Sequence, residues 1–193
     1  MTSDKSHGYE ALAETFIRIR NRRIGPAVVR EWCATLQPGA AVLDLGCGFG
    51  VITEVLVEAG FLVYAVDASA AMIRALRERF PEVEAECAAA EESAFFGRQF
   101  DGIAAWGLLF LLPAETQEIV IHKAAVALRP GGRFVFTAPQ TAQRWKDAMT
   151  EEESVSLGRE KYLELLASAG FTVVDEREDE GENHYYFCVK RAP

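Results

Sequence analysis

The stretch from Val42 to Gly50 restricts the fold of this chain more than any other part of the sequence. An apolar run that contains Asp44 is followed by glycines at alternate positions, Gly46, Gly48 and Gly50, and then by an amphipathic segment. This order predicts a buried strand, a tight turn and a helix. Glycine suits the turn because its backbone angles penalise side chains and because a ligand can approach the main chain closely. The stretch therefore predicts a nucleotide-binding turn whose ligand lies over the carboxyl end of the strand.

The glycine spacing separates two classes of ligand. A dinucleotide fingerprint is Gly-x-Gly-x-x-Gly, and its pyrophosphate lies at the start of the helix. This chain instead has Gly46-x-Gly48-x-Gly50, with Asp44 two residues ahead of the first glycine. An acid at this turn repels a pyrophosphate and favours a cation. S-adenosylmethionine carries an ammonium and a sulfonium and has no phosphate, so it fits the turn better than a dinucleotide does.

Residues 42–50, including Cys47, resemble the first motif of class I S-adenosylmethionine-dependent methyltransferases, and the chain is similar to the small-molecule branch of that family. The resemblance covers nearly all of residues 9–190. It implies an α/β fold with three layers and a doubly wound, mostly parallel seven-stranded sheet whose last strand is antiparallel. It also implies an enzyme that transfers a methyl group from S-adenosylmethionine to a small molecule and leaves S-adenosylhomocysteine.

A second motif follows the predicted second strand. This strand covers residues 61–66 and ends at Asp67, which lies 21 residues after Gly46. A carboxylate at this place can accept hydrogen bonds from both hydroxyls of a ribose. The alternative role for Asp67 is a helix cap, but Ser69 already stands where the next helix needs one. We therefore expect Asp67 to bind the ribose of the cofactor.

The segment after the third strand departs from the family pattern. The family usually has an acid here that holds the adenine amino group, preceded by glycine, whereas this chain has Ala88-Ala89-Ala90-Glu91. Two alternatives remain open for this contact. Either Glu91 or Glu92 reaches the amino group, or backbone groups of Ala89 and Ala90 hold it alone.

The predicted fourth strand, residues 100–105, leads directly to Trp106. Ligands of open parallel sheets bind at the carboxyl ends of the strands, so we expect Trp106 beside the methyl donor. The family often has histidine where this chain has Phe110 or Leu111. The Asp/Asn-Pro-Pro-aromatic motif of enzymes that methylate base amino groups is absent from the sequence. This absence disfavours DNA adenine and protein glutamine as acceptors.

Two segments outside the motifs are candidates for covering the site within a single domain of residues 1–193. Apolar residues at helical spacing from Tyr9 to Ile17 predict a leader helix. In the resembling family such a helix lies across cofactor and substrate, so residues 1–37 are predicted to form a helical cap. For Tyr9, simple packing is an equal alternative. Residues 139–157 are polar and irregular and include Trp145, and they form either a substrate lid or a surface loop.

The last two strands are predicted at residues 171–175 and 185–189 as an antiparallel hairpin at the sheet edge. The loop between them is acidic and ends in Asn183-His184-Tyr185. If the sixth strand is parallel to its neighbours, this loop lies at the carboxyl edge beside the substrate entrance. The acids could then attract a cationic acceptor, and His184 could act as a general base. The alternative is a solvated charge run that discourages pairing of sheet edges.

Composition limits the partners. The chain has 193 residues and a formal charge of -9, which suits one globular domain and disfavours binding to a nucleic-acid backbone. The basic cluster Arg18, Arg20, Arg22 and Arg23 could meet an anion, but a solvated helix end is the favoured interpretation. No run approaches membrane-spanning length and the N-terminus has no apolar signal core, so we expect a cytoplasmic protein.

The four cysteines, Cys33, Cys47, Cys87 and Cys188, stand far apart among apolar neighbours. Without a Cys-x-x-Cys pair or a nearby pair of histidines they do not form a zinc-binding pattern. We therefore expect buried free thiols in a reducing compartment and no metal.

Two other functions compete with methyl transfer. A nicotinamide-dependent oxidoreductase shares the strand, turn and helix, but its glycine spacing does not fit. A catalytically silent protein that binds S-adenosylmethionine is harder to exclude, because no residue is an indispensable catalyst. For the methyltransferase, the predicted cofactor contacts are Asp44, Gly46, Cys47, Gly48, Gly50, Asp67, Ala68, Met72, Ala89, Ala90, Glu91 and Trp106. The predicted substrate contacts are Tyr9, Phe110, Trp145, Asn183 and Tyr185.

Overall fold

The computed structural model describes residues 4–20 and 24–192. Helices and strands follow one another along the chain in the order of a doubly wound fold. The first half contains α1 (Tyr9–Ile19), α2 (Pro26–Cys33), β1 (Ala41–Leu45), α3 (Val51–Glu58), β2 (Leu62–Asp67), α4 (Ala70–Arg79), β3 (Glu84–Cys87) and β4 (Phe100–Ala105). The second half contains α5 (Ala114–Ala127), β5 (Leu128–Thr137), β6 (Gln143–Lys146), β7 (Glu153–Ser156), α6 (Arg159–Ser168), β8 (Phe171–Glu178) and β9 (His184–Lys190).

Seven strands form one sheet in the order β3-β2-β1-β4-β5-β9-β8. Neighbouring strands from β3 to β5 are parallel, whereas β9 is antiparallel to both β5 and β8. β8 therefore runs in the same direction as the parallel strands. The predicted fold class and the antiparallel last strand are confirmed. Because β8 ends at the carboxyl edge, the segment of residues 179–183 that connects it to β9 also lies at that edge.

The sheet is buried on both faces, which explains why its central strands are apolar at nearly every position. All five residues of β1 are buried. Leu43 and Leu45 of this strand belong to the core that includes α5 and α6, whereas Val42 belongs to the core that includes α2, α3 and α4. Alternate side chains of a strand point to opposite faces, so one short run anchors two hydrophobic cores.

The structure corrects two predictions. Residues 139–157 are not irregular throughout, because β6 and β7 pair as an antiparallel hairpin that buries Val155. These two strands contain few apolar residues, so the sequence lacks the alternation of apolar and polar residues that predicts a strand. Cys33, Cys47 and Cys188 are buried free thiols as expected, but Cys87 is exposed because β3 is an edge strand.

No helix within the described ranges combines the length and hydropathy that crossing a bilayer requires.

Candidate active site

A cavity of about 440 Å³ lies at the carboxyl edge of the sheet. Its wall includes the turn after β1, the end of β2, the segment after β4 and the N-terminal segment with α1. Asp147 between β6 and β7, and Gly181 and Asn183 between β8 and β9, complete the wall. Open parallel sheets bind ligands at this edge. The cavity is therefore located where the sequence predicts the cofactor.

The three glycines of the turn have positive φ angles of 74°, 52° and 92° at Gly46, Gly48 and Gly50. A Cβ atom on Gly46 would lie 2.9 Å from Leu108, and one on Gly50 would lie 2.8 Å from Phe80. A Cβ atom on Gly48 would meet nothing within 4 Å, although this residue lines the cavity. Close packing thus requires glycine at the outer positions. At Gly48 the absent side chain leaves space for a ligand.

Asp67 ends β2 at the cavity wall, next to the glycine turn. Its Oδ2 accepts a hydrogen bond from the Gly48 amide at 2.9 Å, and its Oδ1 accepts one from the Ser69 amide at 2.8 Å. Burial raises the pKa of the Asp67 carboxyl, although these two hydrogen bonds oppose the shift. Each carboxylate oxygen has a second lone pair, so both can still accept from a ligand. Ser69 caps α4 as expected, accepting from the Met72 amide at 3.1 Å.

Asp44 does not line the cavity, contrary to the prediction that it contacts the cofactor. Its carboxylate is buried and accepts a hydrogen bond of 2.6 Å from the Thr53 hydroxyl of α3. Burial raises the pKa of Asp44 to about 7. The strand is buried on both faces, so this side chain is enclosed below the turn. The structure therefore gives Asp44 the task of joining β1 to α3.

The cavity wall contains Ala68, Met72, Ala90 and Glu91, which the sequence predicts as cofactor contacts. Ala89 and Gly50 are not part of the wall, and Glu92 is exposed outside it. The carboxylate of Glu91 forms an ion pair of 2.7 Å with Lys5. Glu91 is thus the acid of this segment that reaches the cavity. The loop itself is held by Lys123, whose Nζ donates to the carbonyls of residues 90, 91 and 93.

Trp106 lines the cavity and is held from two sides. Its indole nitrogen donates to the Tyr185 hydroxyl at 2.7 Å, and that hydroxyl donates to Asp179 at 2.8 Å. The guanidinium carbon of Arg20 lies 4.5 Å from the Trp106 ring centroid. Tyr185 therefore supports Trp106 from behind and is not itself part of the cavity wall, contrary to the prediction.

Arg20 corrects the interpretation of the basic cluster. A solvated helix end is wrong for this residue, because Arg20 lines the cavity and burial lowers the pKa of its guanidinium. Arg18 is exposed as that interpretation expects. Arg22 and Arg23 lie outside the described residues. In the sequence, only the basic cluster pointed to Arg20. The packing of α1 shows that Arg20 faces the cavity and that Arg18 does not.

The cavity wall also contains His7, Tyr9 and Asp147 together with Phe110 and Asn183. Tyr9, Phe110 and Asn183 were predicted as substrate contacts. Trp145 was also predicted, but it packs against Phe110 from outside the wall, with ring centroids 5.7 Å apart. Sequence patterns did not indicate His7 or Asp147, because each stands alone in a segment without a motif.

His184, the predicted general base, is not part of the cavity wall. It is the first residue of β9, is only 6% exposed, and packs against Tyr186 with ring centroids 4.8 Å apart. Its Nε2 lies 3.0 Å from a carboxylate oxygen of Glu176 and 3.3 Å from the side-chain nitrogen of Gln140. The alternation of side chains along β9 turns His184 away from the cavity that Asn183 lines, which argues against a role as base.

The described residues contain no cluster of three or more His, Cys, Asp or Glu side chains suited to hold a metal ion.

Comparison with known proteins finds methyltransferases. Residues 42–132 match the sequence model of a methyltransferase domain. The chain is 29% identical over 174 residues to the cypemycin N-terminal methyltransferase of a Streptomyces species, covering 86% of this chain and 71% of the relative. It is 31% identical over 181 residues to a trans-aconitate 2-methyltransferase of Paracidovorax citrulli, covering 78% and 65% of the two chains.

Solved structures share the fold. The CcbJ methyltransferase from Streptomyces caelestis superposes with a TM-score of 0.78 at 17% identity and covers the full length of both chains. The 1,6-didemethyltoxoflavin-N1-methyltransferase of Burkholderia thailandensis, solved with its substrate and S-adenosylhomocysteine, gives a TM-score of 0.71 at 24% identity and covers 97% of this chain and 91% of that one. The sequence matches and this fold together support a class I S-adenosylmethionine-dependent methyltransferase. The matched sequence model and the relatives are methyltransferases, and the Burkholderia enzyme was solved with S-adenosylhomocysteine, the product that S-adenosylmethionine leaves.

Proposed function

We propose that the cavity at the carboxyl edge is the methyl-transfer site, with the donor along the glycine turn and a small-molecule acceptor at the end that carries Tyr9 and Phe110. The observation that carries this proposal is the pairing of Gly48 with Asp67 on one wall. Gly48 leaves open space for a ligand, and Asp67 offers two acceptor oxygens beside it.

The chemistry of the other wall residues fits S-adenosylmethionine. Asp67 would hold the ribose hydroxyls, and Ala68, Met72 and Ala90 give the apolar surface that an adenine ring requires. Glu91 would accept from the adenine amino group. The guanidinium of Arg20 would balance the carboxylate of the donor. When bound, the cofactor supplies a methyl group that its sulfonium already activates.

The residues of this chain then need to orient the acceptor and exclude water. α1 covers the cavity from one side, and Asp147 in the β6–β7 turn closes it from another. We propose that residues 1–37 act as a helical cap and that residues 139–157 act as a substrate lid within one methyltransferase domain. The charge of -9 supports a small-molecule acceptor over a nucleic acid.

The names of the relatives do not fix the acceptor. One is named for an N-terminus and another for trans-aconitate, which differ in charge and in the atom that is methylated. The family resemblance therefore supports the reaction type and leaves the acceptor to the local chemistry of the cavity.

Three measurements test the proposal. Titration calorimetry should detect binding of S-adenosylhomocysteine, and mass spectrometry of the purified protein should detect any donor that remains bound. Incubation with labelled donor and a metabolite extract should then give a labelled product. Binding without transfer would favour the silent binding protein, and the absence of binding would overturn the proposal.

A further inference from the structure

The acceptor end of the cavity carries polar side chains from two segments that are far apart in the chain. His7 and Tyr9 come from the N-terminal segment, and Asp147 comes from the turn between β6 and β7. This inference rests on the proposed function, because it concerns what the same site accepts. The carboxyl, hydroxyl and imidazole groups of these side chains hold their protons with different strength. Their protonation states indicate which chemical class of acceptor the site can bind.

Asp147 is a fixed and ionised carboxylate. Its Oδ1 accepts hydrogen bonds from the amides of Met149 and Thr150, both at 2.9 Å, and from the Thr150 hydroxyl at 3.2 Å. Burial alone would raise the pKa of Asp147, but these hydrogen bonds hold it below its usual value. Its Oδ2 has only a long contact of 3.4 Å with the Tyr9 hydroxyl. This oxygen is therefore able to accept a strong hydrogen bond from a cation.

Tyr9 and His7 present a donor and a proton acceptor beside that carboxylate. Burial raises the pKa of the Tyr9 hydroxyl to about 12, so it remains protonated. Burial lowers the pKa of the His7 imidazole, although Asp147, Glu152 and Asp4 oppose the shift by their charges. The Nε2 atom of His7 lies 3.5 Å from the Ser154 hydroxyl, a weak contact. The imidazole is thus neutral near pH 7 and can accept a proton.

A second cavity, of about 370 Å³, adjoins the first and has His7 in the wall that both share. Lys5 and Arg144 also line it, but they pair with the carboxylates of Glu91 and Glu153. Further negative charge comes from Asp4 and Glu152. The approach to His7 from this side is therefore net acidic, which favours a cation and disfavours an anion.

We propose that the acceptor is a primary or secondary amine that enters as an ammonium ion, is bound by the carboxylate of Asp147 and gives its proton to His7. Tyr9, Phe110 and Trp106 would flank the carbon chain and the charge of this acceptor. A carboxylate acceptor would face Asp147 at like charge, and an alcohol could donate a hydrogen bond to Asp147 but would form no ion pair with it.

The step balances without a further reactant. The Nε2 or Nδ1 atom of neutral His7 takes one proton from the ammonium, which frees the nitrogen lone pair. That lone pair forms the new bond to the methyl carbon, and the bond from carbon to sulfur breaks with its electron pair on sulfur. The product is a methylated ammonium ion, and the imidazolium releases its proton to solvent.

The binding test uses protein saturated with S-adenosylhomocysteine and three probes that share one skeleton: 2-phenylethylamine, 2-phenylethanol and phenylacetate. We expect the amine to bind about tenfold or more tightly than the alcohol and phenylacetate to bind most weakly. The Asp147→Asn variant keeps the acceptor atom for the turn amides, so it should fold, but it should lose the preference for the amine. The matched control is Asp175→Asn on an exposed position of β8.

The kinetic test measures S-adenosylhomocysteine release with 2-phenylethylamine as acceptor. His7→Gln should lower kcat about a hundredfold, with KM changed little, and should remove the fall of kcat that protonation of His7 causes below about pH 6.5. Asp147→Asn should mainly raise KM. His122→Gln, an exposed position on α5, is the control and should match wild type.

The possible results distinguish failure of the amine proposal from failure of the proposed methyl-transfer function. Equal affinity for the amine and the alcohol, or no transfer to an amine that binds beside the donor product, would overturn the amine proposal and leave the methyl-transfer site intact. Failure of the wild-type protein to bind S-adenosylhomocysteine would overturn the proposed function and this inference with it.

Discussion

The proposed donor end and the proposed acceptor end of the cavity are built in different ways. The donor end consists of the β1 turn and the end of β2, which are hydrogen-bonded neighbours in the centre of the sheet. The acceptor end brings together the N-terminal segment, the β6–β7 turn and residues 179–183, which lie outside the parallel core. The donor end is therefore fixed by the core, whereas the acceptor end depends on a few polar contacts between surface segments. This difference allows the acceptor to vary within a family that keeps one donor.

The largest expected effect concerns Gly48. Replacement by valine places a side chain in the open space of the cavity, so Gly48→Val should abolish binding of S-adenosylhomocysteine in calorimetry. A valine at positive φ also strains the backbone by about 1–2 kcal/mol. Gly39→Val is the matched control, because Gly39 has a φ of 74° and no atom within 4 Å of its Cβ position, but lies outside the cavity.

Both variants should unfold at a similar, slightly reduced temperature, and only the Gly39 variant should bind. Normal binding by Gly48→Val would place the donor elsewhere and remove the distinction between the two ends.

Asp67 should show the next largest effect. Loss of two charge-assisted hydrogen bonds to ribose in Asp67→Ala should cost about 2–3 kcal/mol, or about thirty- to a hundredfold in affinity for S-adenosylhomocysteine. Asp67→Asn adds a second readout. Asparagine offers only one acceptor oxygen to the amides of Gly48 and Ser69, and its NH2 group would face the other amide hydrogen. The asparagine variant should therefore have a lower Tm without ligand and should also bind less tightly. Unchanged affinity in both variants would contradict the ribose assignment.

The third prediction concerns the buried charge below the donor end. The pKa of Asp44 is about 7 in the folded protein against 3.8 for the free side chain, so the folded state holds a proton that the unfolded state releases. The free energy of unfolding should therefore fall as the pH rises from about 4 to about 7, and the Asp44 contribution should be constant above that range. Across this window the loss is on the order of 4 kcal/mol, since each pKa unit corresponds to about 1.4 kcal/mol.

Urea unfolding at several pH values tests this effect. Asp44→Asn keeps an acceptor for the Thr53 hydroxyl and has no such titration, so its advantage over wild type should grow with pH. A constant difference between the two proteins would show that Asp44 is not protonated in the folded state.

The smallest expected effect tests how the cap is attached. The carboxylate of Glu10 in α1 accepts from the Ser69 hydroxyl at 2.6 Å and from the Ala71 amide at 3.0 Å, at the start of α4. Glu10→Ala should loosen α1, increase hydrogen exchange over residues 9–19, and weaken donor binding by about two- to fivefold. Glu14→Ala, an exposed position on the same helix, is the control. Equal exchange in the two variants would show that apolar packing alone holds the cap.

Much of the donor end was predictable because it is local in sequence. The glycine turn is contiguous, and Asp67 ends the next strand of the sheet, so strand pairing alone brings Gly48 and Asp67 together. The fold class followed from the same alternation of apolar strands and helices. The prediction for Asp44 was wrong because a strand that is buried on both faces can enclose a carboxylate, and the sequence does not show which side chain of the turn faces the ligand.

The acceptor end was predicted only in part, and the physical reason is the long-range packing of its segments. His7 and Asp147 are 140 positions apart and share the cavity only because the β6–β7 hairpin packs beside the N-terminal segment. The prediction of His184 as a general base was wrong for a related reason. A shift of one residue along a strand moves a side chain to the opposite face of the sheet. By itself the sequence determined the sheet, the glycine turn and the expected class of donor. The tertiary structure decided which polar side chains line the cavity, because loops and strand faces are set by contacts that no local pattern encodes.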